Sequence, residues 1–141
     1  MLKLLTRIVT ISATATAMIA QTDSALDFEV FKARIQPVFL AKRPGRARCY
    51  VCHSTATNFR LQRLSAGATN WDEEQSRRNF AAVQRLVTPG NPLGSRLLTH
   101  PLAAEAGGDP FHSGGKHWDS QSDPEWRAMA EWVQKAAQPH P

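Results

Sequence analysis

Cys49-Tyr50-Val51-Cys52-His53 contains every cysteine of this 141-residue chain. Its form is C-x-x-C-H, the spacing at which two thiols add to the two vinyl groups along one edge of a haem while the adjoining imidazole reaches the iron. In this reading Cys49 and Cys52 form thioethers, His53 is the proximal iron ligand, and the chain carries one covalent haem c. An exported thiol pair can instead form a disulfide or act as a redox dithiol. No βαβ pattern of the thioredoxin kind accompanies it here. Structural zinc takes four ligands, usually with a second paired cluster, and the chain has no second pair of cysteines.

On the N-terminal side of the motif, residues 41–48 are basic and interrupted by Pro44 and Gly45, which predicts a turn. Ahead of that turn, Phe28, Phe31, Ile35, Val38 and Phe39 recur at three- and four-residue steps and predict a helix over 27–40 with one apolar stripe. Ser24 or Asp27 is its expected cap.

On the C-terminal side, residues 54–70 mix Ser, Thr, Asn and Gly with Phe59, Leu61 and Leu64, the pattern of an irregular segment with apolar anchors. Asn70 with Glu73 three residues later has the form of a helix start, and Phe80, Val83 and Leu86 follow on one face up to Pro89. A short helical turn is expected at 95–98. Residues 103–121 hold four glycines and two histidines with little apolar periodicity, which predicts a long loop of the functional kind. Ser122-Asp123-Pro124 opens a last helix whose face is Trp126, Met129, Ala130 and Val133, expected to run to about residue 137. With no β alternation and no internal repeat, the fold class is all-α, three to four helices with long irregular loops.

An N-terminal helix, the C-x-x-C-H pentapeptide, a glycine-rich loop and an aromatic-bearing last helix follow one another in that order. Over about residues 27–137 the chain thereby resembles a class I c-type cytochrome domain of the bacterial periplasmic kind. The resemblance implies a cytochrome c-like fold around the haem, in which the first and last helices cross and Phe28, Phe31 and Ile35 meet Trp126, Met129 and Val133. Such domains often place a proline soon after the motif to accept the proximal imidazole's second hydrogen bond. Here no proline stands between His53 and Pro89, and no residue is assigned that role. The family's sixth ligand is usually a methionine in the loop before the last helix, and this loop has none.

Met129, the only methionine after residue 18, falls in the apolar stripe of the last helix and reads as core. The loop offers His112 in Phe111-His112-Ser113-Gly114-Gly115, where glycines permit close backbone approach to a flat ring. His112 is therefore the leading sixth ligand, ahead of His117 and His100, with Met129 or an open position last. Two imidazoles give a lower potential than a thioether does. Trp71, Trp118, Trp126 and Trp132 read as core. Arg46 and Arg48 are placed to pair with haem propionates or to meet an acidic partner.

The resulting leading function is an exported cytochrome that passes single electrons between redox partner proteins, with enzyme activity left open. The alternatives are a five-coordinate haem enzyme or gas sensor of peroxidase-like type, or a small haem subunit docked on a larger oxidoreductase through the basic segment 42–48. Di-haem peroxidases need a second C-x-x-C-H, which is absent.

Residues 1–20 place Lys3 and Arg7 before a mildly apolar stretch, the pattern of a secretory signal peptide with a cut between residues 17 and 25. That stretch is shorter than the roughly 20 residues a bilayer-spanning helix needs. A haem domain over 21–141, with a disordered tail from about residue 138 that includes His140, is then expected in the periplasm or otherwise outside the cytoplasm, without a stable membrane span. Loss of Lys3 and Arg7 lowers the formal charge from +5 to +3. The basic balance thus comes partly from the signal and gives no argument for nucleic acid.

Overall fold

A computed structural model of the chain describes residues 26–55 and 57–136. The expected signal segment, the candidate cap Ser24 and the expected tail lie outside the described residues. The described residues are helical, without a strand. Two isolated bridges, Arg43 to Arg46 and Leu102 to Trp118, are the extended pairings.

The first helix, α1, runs through Phe28–Val30, Phe31–Ile35 and Gln36–Leu40. Asp27 caps it, its carboxylate accepting from the Val30 N–H. The middle stretch is wound as a π-helix, and the Gln36 N–H reaches back five residues to the Phe31 carbonyl. Pro37 accounts for this: it has no N–H to donate and its ring crowds the carbonyl four residues earlier, so one wide turn absorbs the mismatch. The apolar stripe survives, with Phe31, Ile35, Val38 and Phe39 buried.

The motif itself forms α2, Cys49–His53. The chain enters it from a turn at Pro44-Gly45, closed by the Arg46 N–H on the Arg43 carbonyl. Helix α3 is Glu73–Gln84. Its cap is Asp72 and not Asn70 as the sequence suggested. The Asp72 carboxylate accepts from the Gln75 N–H at 2.8 Å and the Gln75 side chain accepts from the Asp72 N–H at 3.2 Å, a reciprocal capping box. Buried Asn79 accepts the Gln62 N–H at 2.7 Å and Trp71 donates to the Gln62 carbonyl at 2.7 Å, so α3 straps down the irregular segment after the motif.

A 3₁₀ turn, Pro92–Gly94, leads into the short helix α4, Arg96–Thr99, and a second 3₁₀ turn, Ala104–Ala106, interrupts the predicted loop. Its base is stapled: the Ala103 N–H donates to the Trp118 carbonyl at 2.9 Å and the Asp109 N–H to the Thr99 carbonyl at 2.9 Å. Gly108 passes so near Leu102 that a Cβ there would lie 2.0 Å from its carbonyl oxygen, which only glycine permits.

The last helix, α5, is Pro124–Lys135 with Asp123 as its cap. It packs on α1, with the rings of Phe31 and Trp132 5.9 Å apart and the Trp132 indole donating to the Asp27 carbonyl at 2.9 Å. Met129 and Val133 are fully buried with Phe31 and Ile35 in one core. Removing the Met129 side chain leaves a void that this packing cannot refill. Met129→Ala is expected to destabilise the fold by about 2–5 kcal/mol, seen as a lower denaturant midpoint.

Candidate functional site

Helix α2, the segment after it, the start of α4 and the loop before α5 enclose a cavity of about 560 Å³. This lies within the range of about 300–1,000 Å³ typical of small-molecule and cofactor sites. Cys49, Cys52 and His53 stand in its wall together with His100, His112 and His117, and Met129 does not. Phe39, Phe59, Leu86, Leu97 and Trp118 supply the apolar surface. Four cations, Arg46, Arg48, Arg96 and Lys116, line it, and no carboxylate does.

His53 is anchored through Nδ1, which lies 3.0 Å from both the Phe59 carbonyl and the Thr57 hydroxyl. Nδ1–H donates to that carbonyl, leaving Nε2 with its lone pair available. Burial, and then the neighbouring His112 and His100, hold the imidazole pKa below its ordinary value, while the Phe59 carbonyl opposes this. The ring is therefore neutral at pH 7, the form that binds a metal. The partner that the sequence left unassigned is a backbone oxygen in the strapped-down segment.

His112 repeats the arrangement: its Nδ1 donates to the Gly115 carbonyl at 2.6 Å. Its ring faces that of His53 with centroids 6.2 Å apart and planes within 13° of parallel. Two imidazoles on opposite sides of one ion, each with a metal–nitrogen distance of about 2.0–2.1 Å, have centroids roughly 6.4 Å apart. The observed centroid separation is close to this value. Among the described residues no group of three or more His, Cys, Asp or Glu side chains forms a metal site of its own.

His100, at the end of α4, is also held by Nδ1, 2.6 Å from Asp109 Oδ2, and meets the His112 ring edge-on at 4.9 Å. His117 belongs to another wall. It is buried, and its Nε2 lies 3.8 Å from Cys49 Sγ. Burial, reinforced by Arg43 and Arg46, pushes its pKa down to about 4.

Both thiols are free. Burial pushes the Cys49 thiol up to about 11, against the opposing pull of its own backbone N–H and of Arg43. Cys52 is exposed. Since the thiolate is the nucleophile, a haem-free preparation near neutral pH is expected to alkylate at Cys52 at least tenfold faster than at Cys49, read by mass spectrometry of the trapped peptides.

Trp71, Trp126 and Trp132 each donate to a main-chain carbonyl. Trp118, in the cavity wall, is buried with an indole N–H that has no acceptor. The turn before α2 is tied to the loop before α5: Arg43 pairs with Asp123 at 3.4 Å and with Glu125, and Arg46 with Asp119 at 2.7 Å. These pairs occupy two cations of the basic segment internally and leave Lys42 and Arg48 as its candidates for docking.

Thr57, the Phe59 carbonyl, Asp109, Arg96 and Lys116 carried no signal in the sequence. Thr57 four residues after His53 is the one that helical spacing brings within reach. Fold and site together define a small all-α domain whose basic, histidine-lined cavity is walled on one side by a C-x-x-C-H helix. No protein-family model matches the chain, and no curated protein or solved structure matches it. No helix among the described residues is long and apolar enough to cross a membrane.

Proposed function

We propose that this chain is a c-type cytochrome domain of class I type, binding one covalent haem and carrying single electrons between protein partners outside the cytoplasm. The observation that carries the reading is the pair His53 and His112, facing each other across the cavity that Cys49 and Cys52 border. Haem fits the donor set. The two thiols follow the attachment spacing, each of the two imidazoles is tied by Nδ1 to a carbonyl, and the cations lining the cavity oppose two propionates.

The bound haem supplies the iron that changes between ferric and ferrous states, while the polypeptide sets its ligands and surroundings. Cys49 and Cys52 hold the porphyrin edge. His53 and His112 present Nε2 as ligands, and the carbonyls behind them fix tautomer and raise ligand basicity. Arg48 and Arg96 would offset the propionate charge, while Arg46 and Lys116 are already paired with Asp119. Phe39, Phe59 and Leu97 exclude water. With His53 and His112 as its two protein ligands, a bound haem would favour electron transfer at low to intermediate potential. Export rests on the signal pattern of residues 1–20, and docking to an acidic partner on Lys42.

A potentiometric titration followed by absorbance separates this reading from a dithiol one. A one-electron transition with a slope of about 59 mV per decade is expected. A slope of about 30 mV per decade, that of a two-electron thiol–disulfide couple, would overturn it.

A further inference from the structure

Resting on the two-histidine reading, we propose that the Asp109–His100 pair is a positioning device that sets the plane of the His112 imidazole parallel to that of His53. An imidazole turns readily about the bond to a metal, so its plane is fixed by protein contacts. His112 has one hydrogen-bond anchor, the Gly115 carbonyl at 2.6 Å. That carbonyl belongs to the same glycine-rich tip as the ring. Gly114 also borders the ring, where a Cβ would lie 3.2 Å from His112 Cε1. The tip therefore accommodates the ring without relating it to His53.

His100 supplies that relation. It sits at the end of α4, and its ring edge abuts His112 at 4.9 Å and 72°. Its own rotation is blocked by Asp109 Oδ2 at 2.6 Å. Asp109 is fixed twice in turn: its N–H donates to the Thr99 carbonyl at 2.9 Å, and Oδ1 accepts the Phe111 N–H at 2.7 Å. The chain of contacts thus runs from the loop base through Asp109 and His100 to the His112 ring, which lies within 13° of the His53 plane.

Low-temperature electron paramagnetic resonance of the ferric holoprotein reads this angle directly. Near-parallel imidazole planes give a rhombic low-spin signal with three resolved g values, and near-perpendicular planes give one with a single large g value. The parent protein is expected to show the rhombic signal. In His100→Ala and in Asp109→Ala the largest g value is expected to move upward or to split into two populations. Asp109→Asn keeps an acceptor for only one of the two N–H groups and is expected to move the signal in the same direction as Asp109→Ala.

A parental signal in both alanine variants would overturn the positioning role, as would a perpendicular-type signal in the parent. A parent lacking low-spin haem altogether would instead remove the two-histidine reading on which the inference rests. Because His100 and Asp109 are replaced separately, failure of one variant to fold leaves the other to decide.

Discussion

Replacing Cys49 and Cys52 together by serine is expected to leave the exported chain without any haem that survives acid–acetone extraction, and to leave most of the chain unfolded at 37 °C. Serine preserves size and polarity but does not form the thioether, so the substitution isolates covalent attachment from packing. The effect on stability follows from the cavity. About 560 Å³ of space beside α2 is bordered by side chains from most of the chain. Truncating one buried aromatic residue costs about 3–5 kcal/mol, and a domain has only about 5–15 kcal/mol in total. Emptying a space several side chains in size thus removes a large part of the margin. Circular dichroism melting of the double variant beside the parent measures the loss. A double variant with the parent's melting temperature would show that the cavity needs no permanent occupant.

The second large effect concerns His112. With His53 and His112 as axial ligands, the reduced parent is expected to leave carbon monoxide unbound over minutes. His112→Ala is expected to bind it stoichiometrically, with a change to a high-spin ferric spectrum before the gas is added. His100 lies 4.9 Å from His112 with its own Nε2 free, so the double variant His112→Ala/His100→Ala separates simple loss from replacement by the neighbour. His117→Ala is expected to leave carbon monoxide binding at the parental level, because that ring stands against Cys49 and not opposite His53. Stoichiometric binding by the parent would favour the five-coordinate enzyme or sensor.

Elements carried by side-chain periodicity and capping chemistry were legible before any coordinates. Helices α1, α3 and α5 follow the apolar stripes at 28–39, 80–86 and 126–133, and the order of burial on α1 and α5 follows from them. The π turn at Phe31–Ile35 was not legible in the stripe; Pro37 was the available signal. The start of α3 was misplaced by two residues because two polar pairs offered the same spacing, and only Asp72-Gln75 makes the reciprocal bonds.

At the site, the pentapeptide and the candidate ligands His100, His112 and His117 were legible as residue types, and their relative placement was not. Which histidine opposes His53 depends on how the stapled base of the loop directs its tip. The Phe59 carbonyl that anchors His53 is a main-chain atom, to which any residue could have contributed. The basic segment looked like a free patch in one dimension. In three, Arg43 and Arg46 turn inward to Asp123, Glu125 and Asp119, acids some 70 to 80 positions away that no local pattern connects to them.

The most direct measurement is the absorption spectrum of the full chain, exported by a host that attaches haem, purified, extracted with acid–acetone, and reduced in alkaline pyridine. The account expects one haem per chain to remain with the polypeptide, with the shifted band of a porphyrin whose two vinyl groups are saturated. Haem that leaves with the solvent, or a colourless protein with a Cys49–Cys52 disulfide, would contradict it.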